Sequence, residues 1–170
     1  MLKEKIQIAL NVQIQAEFFS SYLYLSMSAW CENNHYEGFA QWMRMQAQEE
    51  LFHALKIYDY VNMTGGRVRL QAVQQPETEW QDPVTVFEAA LGHERHMTEN
   101  INNLVGLCVK ESDFATHAML QWFVSEQVEE EATIDSILGK LKMMGGQGPG
   151  LFMLDQDLGQ RPAPTPPAAV

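Results

Sequence analysis

A chain of 170 residues, 46% of them hydrophobic, is long enough to bury one sizeable core and is most simply a single domain. Its formal net charge of −11 and pI of about 4.8 argue against nucleic acid or an anionic membrane surface as the main partner, and suit a protein that attracts cations. No apolar run approaches the ~18 residues of a membrane span, and the opening residues Met1 to Gln7 hold no long apolar stretch, so a cytoplasmic protein is expected.

The first predicted helix covers 3–32. Ile6, Leu10, Ile14 and Phe18 recur at four-residue spacing, with Tyr22 and Leu25 continuing the stripe and Glu17 lying beside it. Tyr24, two turns after Glu17, shares nearly the same face. Asn33-Asn34 marks a corner, and a second helix runs from about 36 to 63, stopped by Thr64-Gly65-Gly66. The 17 residues from Gly65 to Gln81 show no strong periodicity. Extended, they reach at most roughly 56 Å, against about 42 Å for a 28-residue helix. They can therefore run the length of a bundle and start a third helix parallel to the second, giving a four-helix bundle with one long crossover. Asp82-Pro83 opens that third helix as N-cap and first helical residue, and it continues to about Lys110. His93 and His96 flank Glu94 but do not stand three residues after it, as Met97 does, so both are expected to be exposed or incidental. Ser112-Asp113 opens a fourth helix that ends near Gly145-Gly146. Leu151, Leu154 and Leu158 stripe a short fifth helix that must dock on something, since helices of this length are marginal alone. The segment 161–170 carries four prolines and is expected to be a flexible tail after a domain of 1–160. Cys31 and Cys108 lack a C-x-x-C partner and read as reduced thiols.

Polar residues at helix mid-height carry the chemistry. Glu50-x-x-His53 places a carboxylate and an imidazole on one helix face, roughly 5–6 Å apart at Cβ. Residues equidistant from an antiparallel corner sit at one height. Glu17 mirrors Glu50 about the Asn33-Asn34 corner, and Glu94 mirrors Gln127 and Glu130 about the Glu111-Ser112 corner. If the two hairpins pack together, six ligand-type side chains meet in one layer. Burying several like charges is prohibitive without compensating cations, and a pair of divalent ions supplies them. The oxygen-rich set suits Fe(II) or Mn(II). Glu50 is central and would bridge; Glu17 and His53 complete one position, and Glu94, Glu130 and Gln127 the other.

With Glu17, Glu50-Leu51-Phe52-His53, Glu94 and Gln127-Val128-Glu129-Glu130 at this spacing, residues 1 to about 160 resemble a prokaryotic non-haem ferritin. The resemblance implies an all-α, ferritin-like four-helix bundle with one long crossover plus a short fifth C-terminal helix. It implies ferroxidase activity, in which Fe(II) pairs are oxidised by O2 and ferric mineral is stored inside a hollow homo-oligomer of 24 subunits. Tyr24 and Trp122 match aromatic residues near the family's diiron site, where Tyr24 would be an electron donor. Glu49, Glu126 and Glu129 match a third iron site shared with Glu130. The short fifth helix would meet three copies of itself at a four-fold axis, with a leucine-lined pore. Departures matter as well. Bacterioferritins take a haem-ligating Met directly after the first-motif Glu; here Leu51 stands there, so no haem is expected. The positions that line an acidic three-fold channel in many animal ferritins are His117 and Leu120 here, with Glu111 and Asp113 only nearby. Two other readings stand beside this one: a non-catalytic, mineral-nucleating cage, and a diiron oxidase acting on another substrate.

Overall fold

The computed structural model describes residues 2–146 and 148–167. Five helices follow one another: α1 (Glu4–Asn33), α2 (Glu37–Met63), α3 (Pro83–Glu111), α4 (Phe114–Met143) and α5 (Pro149–Leu158), with no strand among the described residues. None is long and apolar enough to cross a membrane. α1 packs on α2, α3 packs on α4, α1 faces α3, and α5 lies on α2. The expected all-α bundle with one long crossover and a short fifth helix is the fold observed.

The crossover runs along α1. Gln7 Oε1 accepts from Arg67 N, Asn11 bonds Arg67 O and Arg69 N, and Ser26 Oγ donates to Glu77 O. Steps forward in the loop match steps forward on α1, so the chain is delivered to the far end of the bundle. There Asp82 Oδ1 accepts from Thr85 N at 2.8 Å and Thr85 Oγ1 returns to the Asp82 backbone, closing a capping box ahead of Pro83. Asp113 caps α4 by accepting from Thr116 N at 3.1 Å.

The core is split in two. One apolar cluster at the α1 C-terminal end holds Met27, Trp30, Phe39, Phe87, Ile137 and Leu141. The other, at the α1 N-terminal end, holds Ile6, Leu10, Ile57, Ile101, Leu120 and Phe123. Each long helix gives residues to both, and the segments between them carry Glu17, Glu50, His53, Glu94, Gln127 and Glu130, all buried. Cys31 and Cys108 are free and buried in different clusters, so nothing brings them together.

Two expectations change. Tyr22 and Leu25 are exposed rather than on the core stripe. Strict four-residue steps rotate by about 40° each around a helix, so the inward face passes instead to Ser20, Leu23, Tyr24 and Met27. The leucines of α5 face their own subunit: Leu154 is 5% exposed in the first cluster, with Leu151 and Leu158 packed beside it. Asp155 anchors them. Its carboxylate accepts from Gly38 N at 3.1 Å and Phe39 N at 2.9 Å, capping α2, whose own N-cap residue Tyr36 offers no side-chain cap. A Cβ at Gly38 would overlap the Asp155 carbonyl, so the close approach requires glycine there. The exposed apolar residues of α5 are Phe152 and Met153, not a leucine lining. Of the segment read as tail, 168–170 lie outside the described residues, while Arg161 is held against α2 by contacts to Gln46 and Glu49.

Candidate metal centre

Each hairpin brings its polar residues to the gap between the two apolar clusters. From α1, Glu17 is 2% exposed and accepts a 2.8 Å hydrogen bond from Gln13 Nε2 one turn earlier. From α2, Glu50 Oε2 lies 3.5 Å from His53 Nδ1, while Glu50 Oε1 accepts from Gln46 Nε2 at 2.9 Å. From α3, Glu94 Oε1 accepts the Tyr24 hydroxyl at 2.5 Å. From α4, Gln127 Nε2 reaches Glu94 Oε2 at 3.2 Å and its backbone carbonyl at 3.1 Å. Glu130 Oε1 accepts from Gln46 Nε2 at 3.0 Å and lies 4.0 Å from His53 Nδ1.

Among the described residues, two buried groups have ligand atoms within 4.8 Å of one another and share one member: Glu17, Glu50 and His53; and Glu50, Glu94 and Glu130. A third group, His53, Glu126 and Glu130, is less deeply buried at Glu126. Trp122 and Phe123 stand edge-on to His53 at 5.3 and 5.9 Å between ring centroids and wall the imidazole off on one side.

The electrostatics follow from burial. Glu17 is pushed up to about 8 by burial and then by the Glu50 charge. Glu94 rises to about 8 for the same two reasons, and Glu130 is held well above the usual carboxylate range, again by burial first. Glu50 goes the other way: burial works to raise it, but His53 and the Gln46 amide hold it below its ordinary value. Burial would lower His53, yet the Glu50 carboxylate beside it lifts it to about 9. These directions favour an ion pair of Glu50 with His53 and bias Glu17, Glu94 and Glu130 towards their protonated forms. Burial thus keeps the charge of the layer low when no metal compensates it. Glu130 Oε2 is buried with no hydrogen-bond partner among the described residues. An oxygen-rich donor set with one imidazole and an orphaned carboxylate oxygen fits a pair of hard divalent cations.

Glu49, Glu126 and Glu129 do not join into one ligand group. They border a cavity of about 100 Å³ together with Gln46, Glu130 and Arg161. Glu129 is exposed, and Glu49 is engaged by Arg161. His96 is exposed as expected, but His93 is not incidental. It is half-buried, its Nε2 lies 2.7 Å from Ser20 Oγ, and its ring packs on Phe19 and Tyr24. Its place next to Glu94 instead of three residues after it bears on a ligand role alone and carries no sign of its packing on Tyr24. Gln13 and Gln46 are likewise absent from the spacing argument. A signal existed: both stand four residues before a layer glutamate, in Gln13-x-x-x-Glu17 and Gln46-x-x-x-Glu50.

Comparison with known proteins shows the family. A family model described as Ferritin-like domain matches residues 7–144. A bacterial non-heme ferritin of Bacteroides fragilis is 45% identical over 161 residues, covering 95% of this chain and all of that protein. A probable bacterial non-heme ferritin-like protein of Haemophilus influenzae is 43% identical over 159 residues, 94% of this chain and 96% of its own length. The open pore ferritin of Archaeoglobus fulgidus superposes with a TM-score of 0.94 at 46% identity, over 95% of this chain and all of that one. With the Ferritin-like domain model matched over residues 7–144 and relatives of 43–46% identity spanning nearly its whole length, this chain belongs to the ferritin family.

Proposed function

We propose that this ferritin is a ferroxidase and iron store: its buried layer binds two Fe(II) ions, O2 oxidises them, and ferric mineral collects inside a closed shell of 24 copies. The observation that carries the reading is Glu50, shared by two ligand groups that each contain three side chains. A carboxylate common to both positions is what a bridged pair of ions needs. Glu17 and His53 complete one position; Glu94 and Glu130 complete the other, with the Gln127 amide against Glu94.

The charges support it. Two divalent ions bring four positive charges, and the layer can give up four protons, one each from Glu17, Glu94, Glu130 and His53. Exchange keeps the buried layer neutral, so loading carries no large electrostatic cost. Oxidation then takes one electron from each ion, and O2 is the acceptor. Tyr24, with its hydroxyl on Glu94, stands where a nearby electron donor would act. The inner cavity bordered by Glu49, Glu126, Glu129 and Glu130 is the place for a third ion. A reducing cytoplasm suits both the Fe(II) supply and the two free thiols.

The test is anaerobic Fe(II) titration followed by an O2 pulse, on the wild type and on Glu50→Ala. Two ions per subunit with rapid oxidation, both lost in the variant while the shell stays assembled, is the expected result. Wild-type rates in Glu50→Ala would refute the bridging role. Slow, unsaturable oxidation in both would favour a cage that only nucleates mineral.

A further inference from the structure

The chain leaves α5 through a tight turn, with Arg161 N donating to Leu158 O, and this lays Arg161 on α2. Its guanidinium stacks on Trp42 with the carbon 4.5 Å from the ring centroid. Nη1 donates to Gln46 Oε1 at 2.8 Å and to the Trp42 carbonyl at 3.4 Å, and Nη2 to Glu49 Oε2 at 2.5 Å. Gly38, Trp42, Gln46 and Glu49 follow one another at helical spacing, so the α5 cap and Arg161 track a single face of α2. The cation borders the inner cavity, whose other walls include Glu126, Glu129 and Glu130. Glu130, 7% exposed, is the residue whose Oε2 has no partner among the described residues.

Gln46 ties this contact to the buried layer. Its Nε2 donates to both Glu50 and Glu130, which leaves only Oε1 to face outward. Arginine is a donor without acceptor capacity, so the Arg161 bond fixes which way the Gln46 amide points. Arg161 thus neutralises one wall of the cavity and orients the amide that holds two layer carboxylates.

We propose that Arg161 is a tethered cation that keeps the place of a metal ion at Glu49, and that a third divalent ion enters the inner cavity only when Arg161 withdraws. This rests on the reading of that cavity as an ion site. The gate is one of competition: the ion must displace a guanidinium already bonded to its ligand, and displacement frees Gln46 to release Glu130. Arg161 does not touch the two buried positions and reaches them only through the Gln46 amide.

The test uses assembled, metal-free protein and the redox-inert probe Zn2+, with calorimetry and tryptophan emission read at each equivalent. In Arg161→Ala the third equivalent should bind about tenfold more tightly, the factor for a site open about one-tenth of the time, and the first two should change by much less, since Arg161 reaches their ligands only through Gln46. Arg161→Lys, which keeps the charge but not the fork, should fall between. Adding Glu49→Gln to Arg161→Ala should abolish the gain. In wild type the third equivalent should change the emission as the guanidinium leaves Trp42, and in Arg161→Ala it should not. A third ion bound equally in wild type and Arg161→Ala overturns the gate while leaving the cavity an ion site. Weaker third-ion binding in Arg161→Ala also overturns it, making Arg161 a residue that positions Glu49. No third ion in any variant removes the cavity reading and the gate with it.

Discussion

In the metal-free protein, Glu17 should destabilise the fold. It is buried, and its pKa stands at about 8 against an ordinary 4.5, because burial and the Glu50 charge both disfavour the carboxylate. The pKa is raised on folding, so the folded state is favoured most below pH 4.5, and that advantage is lost as pH rises through 8. Glu17→Gln removes the titration and keeps an oxygen to accept the Gln13 bond. At one pKa unit per 1.36 kcal/mol, the variant should be more stable than wild type by under about 1 kcal/mol at pH 5, by about 3 at pH 7 and by about 5 at pH 9. Glu94 carries the same shift and is coupled to Glu17 through Glu50, so the two gains should sum to less than twice one. The measurement is the guanidinium midpoint of chelator-treated protein, followed by far-UV circular dichroism at fixed protein concentration. Saturating divalent ion should reverse the order, since only the wild type then gains the ligand. A metal-free Glu17→Gln less stable than wild type, or a gap that does not widen with pH, would refute the assigned protonation.

Three further outcomes follow from the same contacts. Loading two Zn2+ ions per subunit at pH 7 should release about four protons, measured as buffer-dependent calorimetric heat; a count near one, from His53 alone, would mean the three acids are already ionised. Tyr24→Phe removes the hydroxyl that holds Glu94 down, so the pH midpoint for filling the Glu94 position should move up as well as the oxidation slowing. An unshifted midpoint would leave Tyr24 with an electron role alone. Asp155→Ala takes the cap from α2 and should lower stability by about 1 kcal/mol while exposing α5 to limited proteolysis. Wild-type resistance would mean that Leu154 docks the helix unaided.

What could be read in the chain was what repeats or mirrors. The four long helices announce themselves through periodicity and through Asp82-Pro83 and Asp113, which cap where expected. The mid-height layer is legible because two antiparallel hairpins force residues equidistant from a corner to one level. That is why Glu17, Glu50, His53, Glu94, Gln127 and Glu130 are all found buried between the two apolar clusters. The stripe through Tyr22 and Leu25 failed for a simple reason: four is not 3.6, and the error accumulates over the four steps from Ile6 to Tyr22.

Contacts made by the C-terminal segment are of another kind. The docking of α5 depends on Asp155 meeting two backbone N–H groups, and a backbone donor carries no residue type for a pattern to detect. Only after that cap has set α5 on α2 does the chain deliver Arg161 to Gln46, more than a hundred positions away in sequence. Within a segment of four prolines, a single arginine reads as a solubilising charge. Its partner is just as well concealed, because Gln46 looks like any polar residue on a long helix until both ends of its amide are accounted for. Two nitrogen bonds to buried carboxylates leave one oxygen outward, and an outward acceptor beside a glutamate is where a cation settles. The reach of the metal layer towards the inner cavity thus depends on one amide orientation, which the arginine sets and which substitution of Arg161 would release.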